Sequence, residues 1–600
     1  MLAPRALQKL SRELAELASS ERGSADTERE RRCRRVQGAY FTPPPLVAFV
    51  VAETLNTRLA DPGLRWRADG SPALRVLDPS AGDGRFLAAA IELLVDRAIK
   101  RGGDRARVRE AIARRCVVGL ERDPEFAALA RARLGTSAPI YCCEALLDAP
   151  ADAAQVDAVV GNPPYLRSIR FSRSDHSLWQ TLRGRYAATS HGEWDLYAAF
   201  IEQSLDWIRP GGEIGLVVPS RWLTAAFAIR LREKLARESA VRALIDFGHS
   251  QIFAGATTYA SVVFLSHKSS REITVARYSD TGWTCGQLSA TSLSGQPWRL
   301  AVGEQRALIE HVSGRGPTLG DVARIVKGAG TNADPVYVLD NAEIHGHIVR
   351  GQCKAAGAGE WIEIESAACR PCLRGRDVAR YRSATSQVYC IVPYQLDGSL
   401  WSPERLAEHP RARAHLERFR PRLEARESGR HAGDHYYRFG RPQNMAFLGT
   451  QQAKIVVPDV ARDGRAILDK SGAMVLDSAY AIRLRQNAAY YSLRLLVAIL
   501  NSPMVGWWLR QTGIPLRGGY VRLKTAYLTT LPLPPINPDS DQLIDRITRI
   551  STAIAARQTI QGDTCQGRES RLEASLADLI RRTYAIEPDT WRTLVVPDSA

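Results

Sequence analysis

Val76-Leu77-Asp78-Pro79-Ser80-Ala81-Gly82-Asp83-Gly84-Arg85-Phe86 runs from an apolar, strand-like triplet through a glycine-bearing turn into a helical pattern. Such a turn lies at the carboxyl edge of a parallel sheet, the place where open α/β sheets bind ligands. Gly82 and Gly84 let the backbone approach a ligand closely. They match only part of the dinucleotide fingerprint, and Asp78 and Asp83 put negative charge where a pyrophosphate would be repelled. The turn therefore suits a ligand with a cationic or amino-acid-like end.

Outward from this turn, short β-rich runs alternate with helical patterns. Strands are expected at 74–78, 117–121, 140–143, 157–161, 213–218, 242–247 and 261–265, with amphipathic segments such as 85–100 and 196–208 between them. This alternation predicts a doubly wound, Rossmann-like α/β domain with a mostly parallel sheet of seven strands. After residue 268 the alternation becomes irregular, and Gly- and Ser-containing joints predict an interdomain connection over 271–315. A mixed α+β domain is expected over 316–535, ending at the Pro-rich run Leu531–Pro538, followed by a C-terminal helical segment over 536–600. At the other end, Leu7, Leu10, Leu14 and Leu17 have helical spacing. Residues 1–35 are read as that helix and a charged linker.

The 600 residues, 45% hydrophobic and 24% charged, describe a globular chain of at least two domains rather than a disordered one. No apolar run reaches the roughly 18 residues needed to span a bilayer, so no membrane association is expected. The charged N-terminus lacks the apolar core of a signal peptide, and the ten cysteines are scattered, which predicts reduced thiols and a cytoplasmic location. Lys and Arg number 81 against 64 Asp and Glu, a net charge of +17. A surplus of that size favours a polyanionic partner, nucleic acid foremost, although an arginine-rich proteome produces the same excess.

At the end of the next strand, Glu121 in Gly119-Leu120-Glu121-Arg122-Asp123-Pro124 is placed to accept hydrogen bonds from ribose hydroxyls, and Glu144 follows the third strand, where it can meet an adenine ring. S-adenosylmethionine, with its ammonium and sulfonium, fits the acidic turn. After the fourth strand comes Asn162-Pro163-Pro164-Tyr165. Two prolines fix the backbone, aiming the Asn162 side-chain oxygen and the Pro163 carbonyl at a common point. Two such acceptors can hold both hydrogens of a planar amine while it rehybridises to attack, and Tyr165 can stack on a flat ring.

Taken together, Asp78–Gly84 and Asn162-Pro163-Pro164-Tyr165 resemble the amino-group DNA methyltransferases, specifically the TaqI-like N6-adenine enzymes with a C-terminal target recognition domain. The resemblance covers roughly residues 36–535. It implies that Tyr40, Phe41, Thr42 and Pro43 wrap the methionine end of the cofactor. Asp78, Pro79, Ser80, Ala81, Gly82 and Gly84 would hold it as the glycine turn, with Glu121, Glu144 and Ala145 along the ribose and adenine. Residues 193–197, with Asp195 and Tyr197, and 212–220 resemble segments lining the target pocket, and Phe253 occupies the position that would sandwich a flipped adenine against Tyr165. Ala145 departs from the family, where an aromatic side chain commonly packs on the cofactor adenine, and Glu144 replaces a usual aspartate.

Further along, the segments 372–381, 454–459 and 514–524 resemble parts of the TaqI-like specificity domain, and Arg374, Arg376, Arg380, Arg517, Arg522 and Lys524 are expected to grip phosphates or read base edges of double-stranded DNA. Cys369-Arg370-Pro371-Cys372 has zinc-like spacing but lacks a second such pair, so no metal is expected. Pro458-Asp459 lacks the accompanying acid and lysine of a metal-dependent nuclease. The sequence thus predicts a site-specific adenine-N6 DNA methyltransferase, a monomer that modifies DNA and leaves cleavage to a separately encoded restriction endonuclease. The alternatives are a cytosine-N4 enzyme, a protein-glutamine methyltransferase, against which length and the basic second domain argue, and a DNA-binding defence subunit with an inactive methyltransferase fold.

Overall fold

The computed structural model describes residues 2–20, 41–102, 104–169, 172, 175–248, 250, 252, 259–279, 282–357, 359–381, 387–486, 488, 490–536, 540–561 and 566–595. The chain divides into two compact units, Met1–Arg306 and Ala307–Ala600.

The first unit is built on a sheet of β1 (Val76–Asp78), β2 (Val117–Glu121), β3 (Ile140–Cys142), β4 (Val156–Gly161), β5 (Ile208–Pro219), β6 (Val241–Asp246), β7 (Ala260–Ser266), β8 (Glu272–Ser279) and β9 (Gly282–Ser289), in spatial order β3-β2-β1-β4-β5-β7-β6-β8-β9. β1 through β5 pair in parallel. β7 enters antiparallel to both β5 and β6, so the sheet is mixed.

Nine strands among the described residues replace the seven expected, and the difference lies in residues 272–279 and 282–289, which belong to this sheet and not to an interdomain connection. Ile273 and Val275 alternate with more exposed neighbours and are fully buried, the period-2 pattern of a strand with one covered face. Gly282 and the polar composition of β9 had concealed it. The boundary between units falls instead within the helix Gly303–Ser313.

Strand side chains alternate between two apolar layers. Val76, Val117, Ala158 and Val160 meet Leu87, Ile91 and Leu94 on one face. Leu77, Val118, Val159 and Ile214 meet Ile201 and Leu205 on the other. The helix Arg85–Ile99 buries Phe86, Leu87, Ile91, Leu94 and Val95 at helical spacing, each contributing about 1.5–3 kcal/mol. The N-terminal helix Pro4–Ser20 adds Leu7 and Leu10 to the same layer, with Leu46 and Val47. Both faces are thereby covered, and the carboxyl ends of the parallel strands are left for a site.

The second unit is mixed α+β. Its sheets are β10 (Ala323–Lys327), β20 (Ala479–Leu484), β16 (Lys454–Pro458) and β18 (Ile467–Asp469) in one; β13 (Trp361–Glu365), β12 (Ile348–Cys353), β11 (Val338–His345), β15 (Tyr389–Ile391), β14 (Cys369–Leu373) and β19 (Met474–Val475) in a second; and β17 (Val460–Ala461), β22 (Tyr520–Arg522) and β21 (Ile514–Leu516) in a third. The C-terminal helices Asp541–Gln561 and Gln566–Thr583 share a core with Leu495 and Ile499 through Ile547, Ile554, Leu576 and Ile580. These two helices are thus an integral part of this unit. Among the described residues, no helix is long and apolar enough to cross a membrane.

Candidate active site

A cavity of about 490 Å³ opens at the carboxyl ends of β1 to β4. Its floor is the turn after β1. Gly82 and Gly84 have φ of 53° and 83°, the left-handed region that a side chain disfavours, and a Cβ on Gly84 would crowd Ala130 at 3.3 Å. The turn is anchored by Ala81 N–H donating to Leu120 O at 2.8 Å and Ser80 N–H donating to Asp78 Oδ1 at 3.0 Å.

Glu121 ties the turn to the second strand. Its Oε2 accepts from Gly82 N–H at 2.7 Å and its Oε1 from Asp123 N–H at 2.8 Å. Each carboxylate oxygen retains a second lone pair, so Glu121 can brace the turn and still accept from a ligand. Burial pushes its carboxyl above the usual range. Asp83 is occupied differently: Arg85 Nε and an Arg133 guanidinium nitrogen hold its Oδ2 at 2.9 and 2.8 Å. Asp78 is almost fully buried in the cavity wall, and burial, aided by the nearby Glu121 and Asp83 charges, pushes it up to about 8. A cation bound there would stabilise the ionised form.

Phe41 and Thr42 come from the segment before the helix Pro44–Leu59, which Pro43 caps, and both line the cavity. The Arg85 guanidinium lies 4.7 Å from the Phe41 ring centroid, and Phe41 stands 6.0 Å from Phe126. At the opposite end, Glu144 and Ala145 lie in the wall. Arg122 bridges Glu144 at 3.4 Å and Asp175 at 3.5 Å, while burial raises the Glu144 carboxyl against the opposing Arg122 charge.

Asn162 and Pro164 complete the wall. The Asn162 amide Nδ2 donates to Thr42 Oγ1 at 3.0 Å, which fixes the carboxamide plane and leaves Oδ1 as its acceptor end. Pro163 and Tyr165 continue the segment outside the wall. Tyr165 meets Tyr197 edge-on at 6.0 Å, and Tyr197 in turn meets Phe227 at 6.2 Å. Tyr197 is buried behind Tyr165. Burial raises the carboxyl of Asp195, which lies 3.5 Å from the Arg221 guanidinium.

The structure thus gathers Phe41, Thr42, Asp78, Pro79, Ser80, Ala81, Gly82, Glu121, Glu144, Ala145, Asn162 and Pro164 around one cavity. Tyr40 and Phe253 lie outside the described residues. Sequence reasoning missed Arg122 and Asp175, whose only signals were adjacency to Glu121 and the helix-capping run Ser174-Asp175-His176-Ser177. It also missed Phe126 and Phe200, apolar wall residues that helical periodicity assigns to core.

In the second unit Arg374 is enclosed by acids. It is buried, donates to Asp377 through Nε at 2.8 Å and a terminal nitrogen at 3.0 Å, and reaches Asp340 at 2.7 Å. Its guanidinium is thus engaged by both carboxylates. Arg380, part-buried, donates to Asn501 O at 2.7 Å and pairs with Glu573 at 3.5 Å. Arg376, Arg522 and Lys524 are exposed, and the Arg517 side chain lies outside the described residues. Cys369 and Cys372 are buried on β14.

Two family models match: the Eco57I restriction-modification methylase over residues 123–253 and the TaqI-like C-terminal specificity domain over 370–533. Among curated relatives, the Type II methyltransferase M.BstVI of Geobacillus stearothermophilus is 25% identical over 85% of this chain and 93% of its own length. The Type II methyltransferase M.PaeR7I of Pseudomonas aeruginosa is 24% identical over 83% and 86%. The solved structure of the Type IIL restriction-modification enzyme MmeI in complex with DNA shares the fold with a TM-score of 0.62, at 14% identity, over 96% of this chain and 80% of that one. The two matched models, in the order methylase then specificity domain, and the nearly full-length relatives make the chain similar to the TaqI-like restriction-modification methyltransferases.

Proposed function

We propose that this chain is a site-specific DNA methyltransferase that transfers a methyl group from S-adenosylmethionine to the N6 amine of an adenine extruded from double-stranded DNA. In this reading it is the modification component of a restriction-modification system, acting as a monomer in the cytoplasm beside a separately encoded endonuclease. The observation that carries the reading is the position of Asn162. It stands in the wall of the acid-lined cavity, bonded to Thr42, one residue beyond the strand that packs on Asp78.

The cavity fits the cofactor chemically. A buried acid pushed up to about 8 favours a cationic ligand, the turn glycines leave room for close approach, and Glu121 and Glu144 offer acceptors for hydroxyl and amine groups. When bound, S-adenosylmethionine supplies an electrophilic methyl group on a sulfonium. Phe41 and Thr42 would hold its amino-acid end, Glu121 its ribose, and Glu144 and Ala145 its adenine.

Asn162 Oδ1 and the Pro163 carbonyl accept the two hydrogens of the target amine, drawing the nitrogen lone pair out of conjugation with the ring. The Thr42 bond prevents the carboxamide from presenting its NH₂ instead. Tyr165, backed by Tyr197 and Phe227, offers a fixed face on which the base stacks, and Phe253 is proposed to cover the other face. Extrusion costs a few kcal/mol, and stacking offsets about 1–3 kcal/mol per base–aromatic contact. Arg376, Arg517, Arg522 and Lys524 are proposed DNA contacts.

Nucleoside mass spectrometry of DNA from a methylation-deficient host expressing this chain tests the reading. N6-methyladenine with the intact chain and none with Asn162→Ala is expected. Methylcytosine would move the base assignment, and an unmodified genome, or full methylation by Asn162→Ala, would overturn the mechanism.

A further inference from the structure

Residues 520–524, Tyr-Val-Arg-Leu-Lys, alternate in exposure. Val521 and Leu523 are buried at 5% and 2%, while Tyr520, Arg522 and Lys524 face outward. The period of two puts the three outward side chains on one face of β22 and its extension. Gly518 and Gly519, at φ of 74° and 73°, turn the chain tightly before it. From just beyond the neighbouring strand β17, the Arg462 guanidinium lies 4.8 Å from the Tyr520 ring centroid. Asp459 stands 3.9 Å from both Arg522 and Lys327.

A tyrosine 42% exposed and packed against a cation gains little from the core of its own unit. Its ring is oriented by Arg462 and bordered by Arg462, Arg522 and Lys524. Asp459 is shared between Arg522 and Lys327 at the outer limit of ion pairing, so it holds neither cation tightly. A flat apolar surface ringed by positive charge complements a partner that carries flat apolar faces on a polyanionic backbone, which is nucleic acid. A protein partner would meet the same charges only through an acidic patch and would not require an oriented ring.

We infer that Tyr520, held by Arg462, is a DNA-contacting residue that packs against a base or sugar, while Arg522 beside it neutralises phosphate. The inference deepens the reading that this chain acts on DNA, and rests on it. It assigns two kinds of contact to one ridge: a salt-independent one from the ring and a salt-dependent one from the cations.

The test uses the full chain, a fluorescently labelled mixed-sequence duplex, and anisotropy titrations across a series of salt concentrations. Tyr520→Ala should weaken binding about tenfold at every salt concentration with the slope of log affinity against log salt unchanged, and Tyr520→Phe should restore wild-type affinity. Arg522→Gln should reduce that slope by about one unit. Melting temperatures check that each variant is folded. Wild-type affinity in Tyr520→Ala, with the parent chain binding normally, would overturn this inference and leave the methyltransferase reading standing. A parent chain that does not bind duplex DNA would overturn both, and Tyr520→Ala disrupting capture of a partner protein while leaving DNA binding intact would reassign the ridge.

Discussion

A Cβ placed on Gly161 would stand 2.6 Å from Asp78 Oδ1. The last residue of β4 therefore carries no side chain because the buried acid of the neighbouring strand occupies that space. The contact joins the two halves of the proposed chemistry, since Asp78 faces the cavity and Asn162 follows Gly161 directly. Gly161→Ala must push the carboxylate or the strand end aside, at about 1–3 kcal/mol of overpacking. The expected outcome is a folded protein that binds S-adenosylmethionine at least tenfold more weakly by calorimetry and transfers methyl groups more slowly still. Unchanged affinity would show that Asp78 has no part in holding the cofactor.

Asp78 also predicts a pH dependence. Its carboxyl is pushed from an ordinary 3.8 to about 8, chiefly by burial. Between these values the folded chain holds a proton that the unfolded chain has released, so in the absence of ligand stability falls as pH rises through this window. Binding of a cationic ligand favours the ionised acid and expels that proton. Affinity for S-adenosylmethionine should therefore rise as pH increases from 6 to 8, by up to about tenfold per unit for one proton, and level off above 8. In Asp78→Asn the affinity is lower and the Asp78-linked rise is lost. Calorimetry in buffers of different ionisation enthalpy reads the proton directly, and equal proton release by the parent chain and Asp78→Asn would count against the assignment.

Much of the first unit was legible because its strands are short, apolar and bounded by turn residues, and because the glycine turn and the Asn-Pro-Pro-Tyr segment are contiguous in sequence. β2 begins and ends where the pattern places it, at Val117 and Glu121. The extra hairpin was not legible: β9 buries only Leu288, so it carries little periodicity, and only pairing with β8 makes it a strand. The Arg122 bridge to Glu144 and Asp175 joins residues more than twenty positions apart, a relation that tertiary structure alone creates. The same limit applies to Arg374. Sequence shows a cation in a basic run, whereas the two acids that enclose it come from residues 340 and 377.

That enclosure separates Arg374 from Arg376 two residues away. Arg374 is buried between Asp340 and Asp377, while Arg376 reaches Asp340 only at 3.8 Å and keeps most of its side chain in solvent. Removing the first leaves Asp377 without its close cation and Asp340 with only Arg376 and Lys354, both 3.8 Å away, a loss on the order of 3 kcal/mol by analogy with other broken buried pairs. Removing the second leaves the fold intact, because exposed pairs contribute about 0–1 kcal/mol. Arg374→Ala is therefore expected to lower the melting temperature of the chain by several degrees while the salt slope of DNA binding below that temperature stays at its wild-type value. Arg376→Ala should do the reverse, with an unchanged melt and a slope reduced by about one unit. Thermal unfolding and salt-dependent anisotropy on the same two proteins decide the matter. A reduced slope in folded Arg374→Ala would mean that its guanidinium leaves the two aspartates for a phosphate when DNA binds.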